Sequence, residues 1–123
     1  MKYYSEDHEW IEVKGRVAVV GISEHAAEEL GDITYVELPM EGDDVIVGDA
    51  ICVVESVKAA ADVYAPISGT IAAVNDALED HPELINQSPE SDGWIYKLKD
   101  FEEDDLADLM NTDQYFKFLK ESD

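Results

Sequence analysis

Few residues in this chain have the type and spacing to do chemistry. The three histidines, His8, His25 and His81, stand far apart in sequence. No H-x-x-x-H or C-x-x-C brings two metal ligands onto one turn or helix face, so surface histidines are expected rather than a metal centre. Cys52 is the only cysteine and lies within the apolar run Ile51-Cys52-Val53-Val54, where it reads as a small buried hydrophobe. It has no partner for a disulfide or a thiolate cluster. No phosphate-binding glycine loop, dinucleotide fingerprint or G-x-S-x-G elbow occurs. Thirty Asp and Glu are so many that pairing any two as an acid/base couple would be arbitrary. One residue stands out against this background. Between Val17 and Tyr96 there are 17 acids and a single cation, Lys58. The other seven basic residues, Lys2, Lys14, Arg16, Lys97, Lys99, Lys117 and Lys120, lie toward the ends.

The chemistry of such a lysine depends on how it is held. Ala50 to Glu55 and Ala59 to Tyr64 have strand length and carry Val53, Val54, Val63 and Tyr64, which favour strands over helix. Ser56-Val57-Lys58 separates them, so Lys58 is expected on a hairpin tip. There another protein can grip the hairpin and acylate the amine. Acylation would remove its charge and take the formal balance from −22 to −23.

The elements around that hairpin are short strands. Glu9 to Lys14 and Arg16 to Ile22 suggest a hairpin turning at Lys14-Gly15. Ser23 is an N-cap for a short helix through Leu30, stopped by Gly31. Ile33 to Leu38, Val45 to Val47, Thr70 to Val74 and Trp94 to Lys99 read as further strands. Asn75 and Pro82 open short helical turns. Beyond Asp100, Leu106, Leu109, Met110, Tyr115, Phe116, Phe118 and Leu119 recur at helical spacing, with Asn111-Thr112-Asp113 as an interrupting cap. The expectation is one domain over 1–123, mainly β, with a β core over about 9–99 and a helical segment over about 101–121. Many strands with Gly and Pro turns point to a small sandwich or barrel.

Charge narrows the partners. A net charge of −22 disfavours nucleic acid, whose phosphates are bound by Lys and Arg, and disfavours a polybasic membrane anchor. No apolar run approaches the ~20 residues that span a bilayer. Met1 to Asp7 lacks the apolar stretch of a secretory signal, so a soluble, cytoplasmic chain is expected. The excess acidity also suggests adaptation to high salt, where self-repulsion is screened.

The segment Glu55-Ser56-Val57-Lys58-Ala59-Ala60-Ala61-Asp62-Val63-Tyr64-Ala65-Pro66-Ile67-Ser68-Gly69 closely resembles the lipoyl-attachment segment of the glycine cleavage system H proteins. The resemblance continues in His8-Glu9-Trp10, Val20 to Ala26, Leu30 to Ile33, Val36 to Pro39, Val74 to Leu78, Pro82 to Asn86 and Asp92-Gly93-Trp94. The order and spacing of these strings, more than any one of them, make the match specific. It implies a barrel-sandwich hybrid of two small antiparallel sheets with short helices and a helical C-terminus. It also implies lipoate in amide linkage on Lys58, with Glu55, Ser56, Val57 and Ala59 presenting it. The chain would then be a monomeric shuttle rather than an enzyme, and its partners would be the P, T and L proteins and a lipoate-attaching enzyme. P would load an aminomethyl group onto the arm, T would remove it and L would reoxidise the arm. Acids matching Glu9 and Asp62 would lie near the docked arm.

Three departures accompany the match. Asp7 stands where family members often have Ser, and Glu29 where they often have His, both adding negative charge. The loop Ser88 to Gly93 replaces a commoner Pro-Tyr-Gly pattern. Rival readings fit less well. A biotin carrier domain normally has Met beside the lysine, where this chain has Val57 and Ala59. A lipoyl domain of a 2-oxoacid dehydrogenase commonly reads Asp-Lys-Ala. An H-like lipoate relay, or an acidic structural domain with unmodified Lys58, would leave the same sequence features in place.

Overall fold

The structure, a computed structural model, describes residues 2–122. Strands β1 (Lys2–Tyr4), β2 (Glu9–Lys14) and β3 (Val17–Ile22) lead into helix α1 (Glu24–Leu30). Next come β4 (Ile33–Glu37), β5 (Asp44–Val45), β6 (Ala50–Ser56), β7 (Ala60–Tyr64) and β8 (Gly69–Val74). Two single-turn helices, α2 (Ala77–Asp80) and α3 (Leu84–Gln87), precede β9 (Tyr96–Lys99). A 3₁₀ helix (Glu103–Asp108) and α4 (Thr112–Ser122) complete the described chain.

The strands form two antiparallel sheets, six-stranded in the order β1-β2-β3-β9-β8-β5 and three-stranded in the order β4-β6-β7. The expected two-sheet architecture is present as an open sandwich, with no closed barrel among the described strands. Strand alternation explains how the sheets meet. Ile11 and Val20 point into the space between them and meet Val36, Val54 and Val63 of the smaller sheet. Trp10 and Val19, one residue along each strand, point to the opposite face. There, with Tyr4, they pack under Tyr115 of α4, whose ring stacks on Tyr4 at 4.2 Å between centroids. Both faces of the β2–β3 hairpin are therefore buried, which makes it the platform of the molecule.

Several sequence expectations shift by tertiary contacts. Strand β1 lies before the expected start of the β core; it pairs with β2, and Tyr4 bridges Met110 by two backbone hydrogen bonds of 2.8 Å. The first of the two expected C-terminal helices is 3₁₀ rather than α. Its first turn holds Glu103, Asp104 and Asp105, and its last has no cation for the helix dipole. Asn75 does not cap with its side chain. Its amide donates to the carbonyls of Asp92 (3.0 Å) and Trp94 (2.7 Å) and so anchors the 88–93 loop, while its own carbonyl opens the helical turn. The strand expected from Trp94 begins at Tyr96, and the one expected over Val45 to Val47 is Asp44–Val45. The Asn111 cap is present as a reciprocal box. Gln114 N–H donates to Asn111 Oδ1 at 2.8 Å, and Asn111 N–H donates to Gln114 Oε1 at 2.9 Å.

Candidate functional site

β6 and β7 form the expected hairpin, with Glu55 opposite Ala60 as the last pair before the tip. Ser56 builds the turn. Its N–H donates to the Ala59 carbonyl at 2.8 Å, and its hydroxyl accepts the N–H groups of Lys58 and Ala59 at 3.1 Å. That hydroxyl also donates to the Ala59 carbonyl at 3.1 Å. A short polar side chain that bonds its own turn in this way favours a tight reversal over either regular structure. Val57, Lys58 and Ala59 are left exposed.

The tip is not free to sway. Val57 N–H donates to the Asp32 carbonyl at 3.0 Å, which pins it to the loop between α1 and β4. That loop is clamped in turn by Asn86, whose Oδ1 accepts Ile33 N–H and whose Nδ2 donates to the Gly31 carbonyl, both at 2.8 Å. Gly31 closes α1 as expected, its N–H donating to Ala27 O, with φ +78° and ψ −154°. A residue with a Cβ adopts that backbone only under strain. The Lys58 stem runs across this glycine: a Cβ there would lie 3.5 Å from Lys58 Cε.

Leu30, the residue before Gly31, lines a cavity of about 270 Å³ between the sheets. Its apolar walls are Ile22, Ala26, Leu30, Val54 and Val63, and its carboxyl groups are Asp7, Glu9, Glu29 and Asp62. Glu9 and Asp62, taken from distant parts of the sequence, thus meet in one cleft beside the Lys58 hairpin. Their environments differ. Asp62 is exposed, whereas Glu9 is 2% exposed. Glu9 Oε1 accepts the Ser5 hydroxyl at 2.6 Å and Oε2 accepts Tyr64 N–H at 3.3 Å, so this one side chain links the two sheets. Burial pushes its carboxyl up to about 7; the Ser5 bond opposes that rise and the negative charge of Asp7 adds to it. Glu9 therefore changes charge near neutrality, at the floor of the cleft.

The histidines behave differently from the sequence expectation. His81 is exposed, but His8 is half-buried at φ +70° and its ring lies 4.8 Å from that of His25. His8 Nδ1 bonds the Tyr115 hydroxyl at 2.8 Å, which also meets Ser23 Oγ at 2.8 Å. Burial, reinforced by the neighbouring His25, holds His8 below its ordinary pKa. His25 Nε2 lies 3.0 Å from Glu29 Oε1. Among the described residues no three His, Cys, Asp or Glu side chains converge as metal ligands. Cys52 is buried, as expected, and burial raises its thiol to about 12, which leaves it inert at neutral pH.

Sequence reasoning missed Asn86, Ser5 and His8 as supports of the site. Asn86 and His8 both lie within strings that carried the resemblance, and Ser5 precedes Glu9 by one turn. The Ser88–Gly93 loop, a departure in sequence, proves to be an anchor. Glu90 accepts the Tyr4 hydroxyl at 2.6 Å and Glu24 N–H at 3.0 Å, and Pro89 O accepts Trp10 Nε1–H at 2.9 Å.

Comparison with known proteins agrees with this arrangement. The family model described as glycine cleavage H-protein matches residues 2–122. A glycine cleavage system H protein of Thermotoga maritima is 49% identical over 118 residues, 96% of this chain and 95% of the relative. Its counterpart from Photorhabdus laumondii is 49% identical over 121 residues, covering 98% and 93%. The crystal structure of a glycine cleavage system H protein from Mycobacterium marinum superimposes with a TM-score of 0.86 at 34% identity, covering 97% of this chain and 96% of that one. A match over nearly the whole chain, in sequence and in fold alike, means that this protein belongs to the glycine cleavage H-protein family.

Proposed function

We propose that this chain is the lipoyl carrier of a glycine cleavage system, with lipoate joined in amide linkage to Lys58 and with Glu9 and Asp62 lining the cleft that shelters the arm. The observation that carries the reading is the pairing of an exposed lysine on a pinned hairpin tip with an apolar, acid-floored cavity beside it. The residues fit such an arm. Val57 and Ala59 leave the Lys58 amine open to an attaching enzyme, and Ser56 keeps the turn in one shape while it is gripped. The Lys58 stem passes over Gly31, the chain neighbour of Leu30 in the cavity wall, and the aliphatic walls suit a hydrocarbon chain.

When bound, the lipoyl group supplies the dithiolane that takes up an aminomethyl group and two electrons; the protein supplies placement and protection. Ile22, Leu30, Val54 and Val63 would hold such an arm against apolar walls and keep water from it. Glu9 and Asp62 provide negative charge for a cationic end. Glu55 and Ala60, the last paired residues, set the direction in which Lys58 leaves the sheet. The partners in this reading are the P, T and L proteins, with Lys58 at the centre of the surface that each approaches.

The test is intact-mass measurement after co-expression with a lipoate-attaching enzyme. The chain should gain one lipoyl group, and Lys58→Arg, which keeps the charge but removes the acylatable amine, should gain none. The modified chain should then support methylenetetrahydrofolate formation with P, T and L proteins. An unmodified wild-type chain, or glycine cleavage that survives Lys58→Arg at normal rates, would overturn the reading.

A further inference from the structure

Tyr115 stands in the first turn of α4, where its N–H donates to the Asn111 carbonyl at 2.9 Å and its ring stacks on Tyr4. The residue is 2% exposed, and its hydroxyl meets two partners from distant segments. These are His8 Nδ1 and Ser23 Oγ, each at 2.8 Å. The two partners are also joined to each other, since Ser23 N–H donates to the His8 carbonyl at 2.8 Å. One hydroxyl of the C-terminal helix thus closes a node between the turn before β2 and the start of α1.

The hydrogen bonds of this node have a direction. Ser23 is 0% exposed, and its Oγ accepts Ala26 N–H at 3.2 Å. An N–H group cannot take up the Ser23 hydroxyl proton, so the Tyr115 oxygen must accept it; otherwise a buried donor would go unmet. Tyr115 then directs its own proton to His8 Nδ1. The chain from Ser23 through Tyr115 to His8 fixes neutral His8 as the tautomer with its proton on Nε2. His8 is also held at φ +70°, a backbone that a bulky side chain keeps only where its surroundings impose it.

Helix α1 carries the consequence to the other side of the cleft. At seven residues it is too short to keep its place by its own hydrogen bonds, so its position is set at its two ends. At the start stand the Ser23 cap and Glu24, whose N–H donates to Glu90 Oε2 at 3.0 Å. At the far end, about 10 Å on at the rise of an α-helix, Asp32 accepts Val57 N–H and Gly31 lies under the Lys58 stem. A shift at the Ser23 end therefore moves the support of the lysine tip.

We infer that Tyr115 is a positioning residue for Lys58: its hydroxyl seats the start of α1, and α1 carries that seat to the hairpin tip, so that the C-terminal helix takes part in presenting the attachment lysine. Tyr115 acts only through Ser23 and α1 and touches no ligand. The biological meaning of this role rests on the carrier reading.

The test is Tyr115→Phe in the full chain, which keeps the ring on Tyr4 and deletes the hydroxyl. In the wild type, ¹⁵N NMR of the imidazoles should show His8 with its proton on Nε2, and in the variant His8 should become a mixture of tautomers. The Val57 amide should exchange with deuterium about two- to tenfold faster relative to the core amide of Val20, the scale of one hydrogen bond. A lipoate-attaching enzyme should modify Lys58 more slowly. Val19→Ala is the control: it thins the apolar packing under α4 without touching the hydroxyl chain, so it should lower the thermal midpoint and leave all three readouts in place. A wild-type His8 protonated on Nδ1 would overturn the inference. So would a Tyr115→Phe chain with an unchanged Val57 to Val20 exchange ratio or an unchanged attachment rate, whatever its thermal midpoint, and so would equal effects in Val19→Ala. The carrier reading fails on a different measurement, the absence of lipoyl mass on Lys58 of the wild-type chain.

Discussion

Val57 and Asp32, 25 residues apart in sequence, are joined by a backbone hydrogen bond of 3.0 Å that fastens the tip of the lysine hairpin to the end of helix α1. A two-stranded hairpin tip is ordinarily among the most mobile parts of a sheet protein. This bond makes it an extension of the loop that borders the cleft. Lys58 therefore leaves the protein at a defined place relative to Glu9 and Glu29, and the predictions below test the parts that hold it there.

Asn86 is the keystone of the loop under the tip. Asn86→Ala removes the bonds to Ile33 N–H and the Gly31 carbonyl and should cost about 1–2 kcal/mol in urea unfolding. Its distinguishing effect is local: the Val57 amide should exchange with deuterium faster than core amides such as Val54. Unchanged Val57 exchange would mean that Asn86 does not support the tip.

Gly31→Ala should be more damaging than its exposure suggests. Its backbone conformation costs a residue with a Cβ about 1–3 kcal/mol, and the new methyl meets the Lys58 stem. A lower thermal midpoint together with slower attachment of lipoate to Lys58 is expected. Gly15→Ala provides the control: it is also at positive φ, but a Cβ there meets nothing within 4 Å, so it should lower stability without affecting attachment.

Glu9 gives a pH dependence with a definite sign. Its carboxyl is raised from 4.5 to about 7 in the folded chain, so the folded state keeps a proton that the unfolded state has released. Stability from this group is therefore present below about pH 4.5, falls as pH rises through 7 and is level above that. The span corresponds to about 3 kcal/mol. Comparing urea midpoints at pH 5 and pH 8 for wild type and Glu9→Gln isolates the effect from the other carboxylates. The glutamine variant should show the smaller fall.

Salt should stabilise the chain. A charge of −22 repels itself over the whole surface, and at molar salt the screening length shrinks to about 3 Å. We expect the thermal midpoint to climb from low to molar KCl, in keeping with a proposed high-salt adaptation. A flat or falling midpoint would remove that proposal.

Much of the chain's organisation is visible in local chemistry. The Ser23 cap, the Gly31 stop, the hairpin around Lys58 and the Asn111 box all arise from contacts within a few residues, so residue type and spacing suffice to find them. Boundaries set by distant contacts are less visible. Lys2–Tyr4 becomes a strand only because β2 and Met110 supply its hydrogen-bond partners, and Asn75 turns its amide toward Asp92 and Trp94 rather than toward its own helix.

By itself the sequence determined that one lysine stands alone among acids on a strand-to-strand turn, and its ordered strings pointed to a lipoyl carrier. These are properties of composition and short-range pattern, which need no folding to read. Only the tertiary structure shows how differently the individual acids are held. Glu9 is distinguished from the other carboxylates by burial and by the Tyr64 and Ser5 bonds, and Glu29 by His25 and the cavity at its side. Desolvation and enclosure are properties of surfaces brought together from distant segments, and no spacing along the chain encodes them.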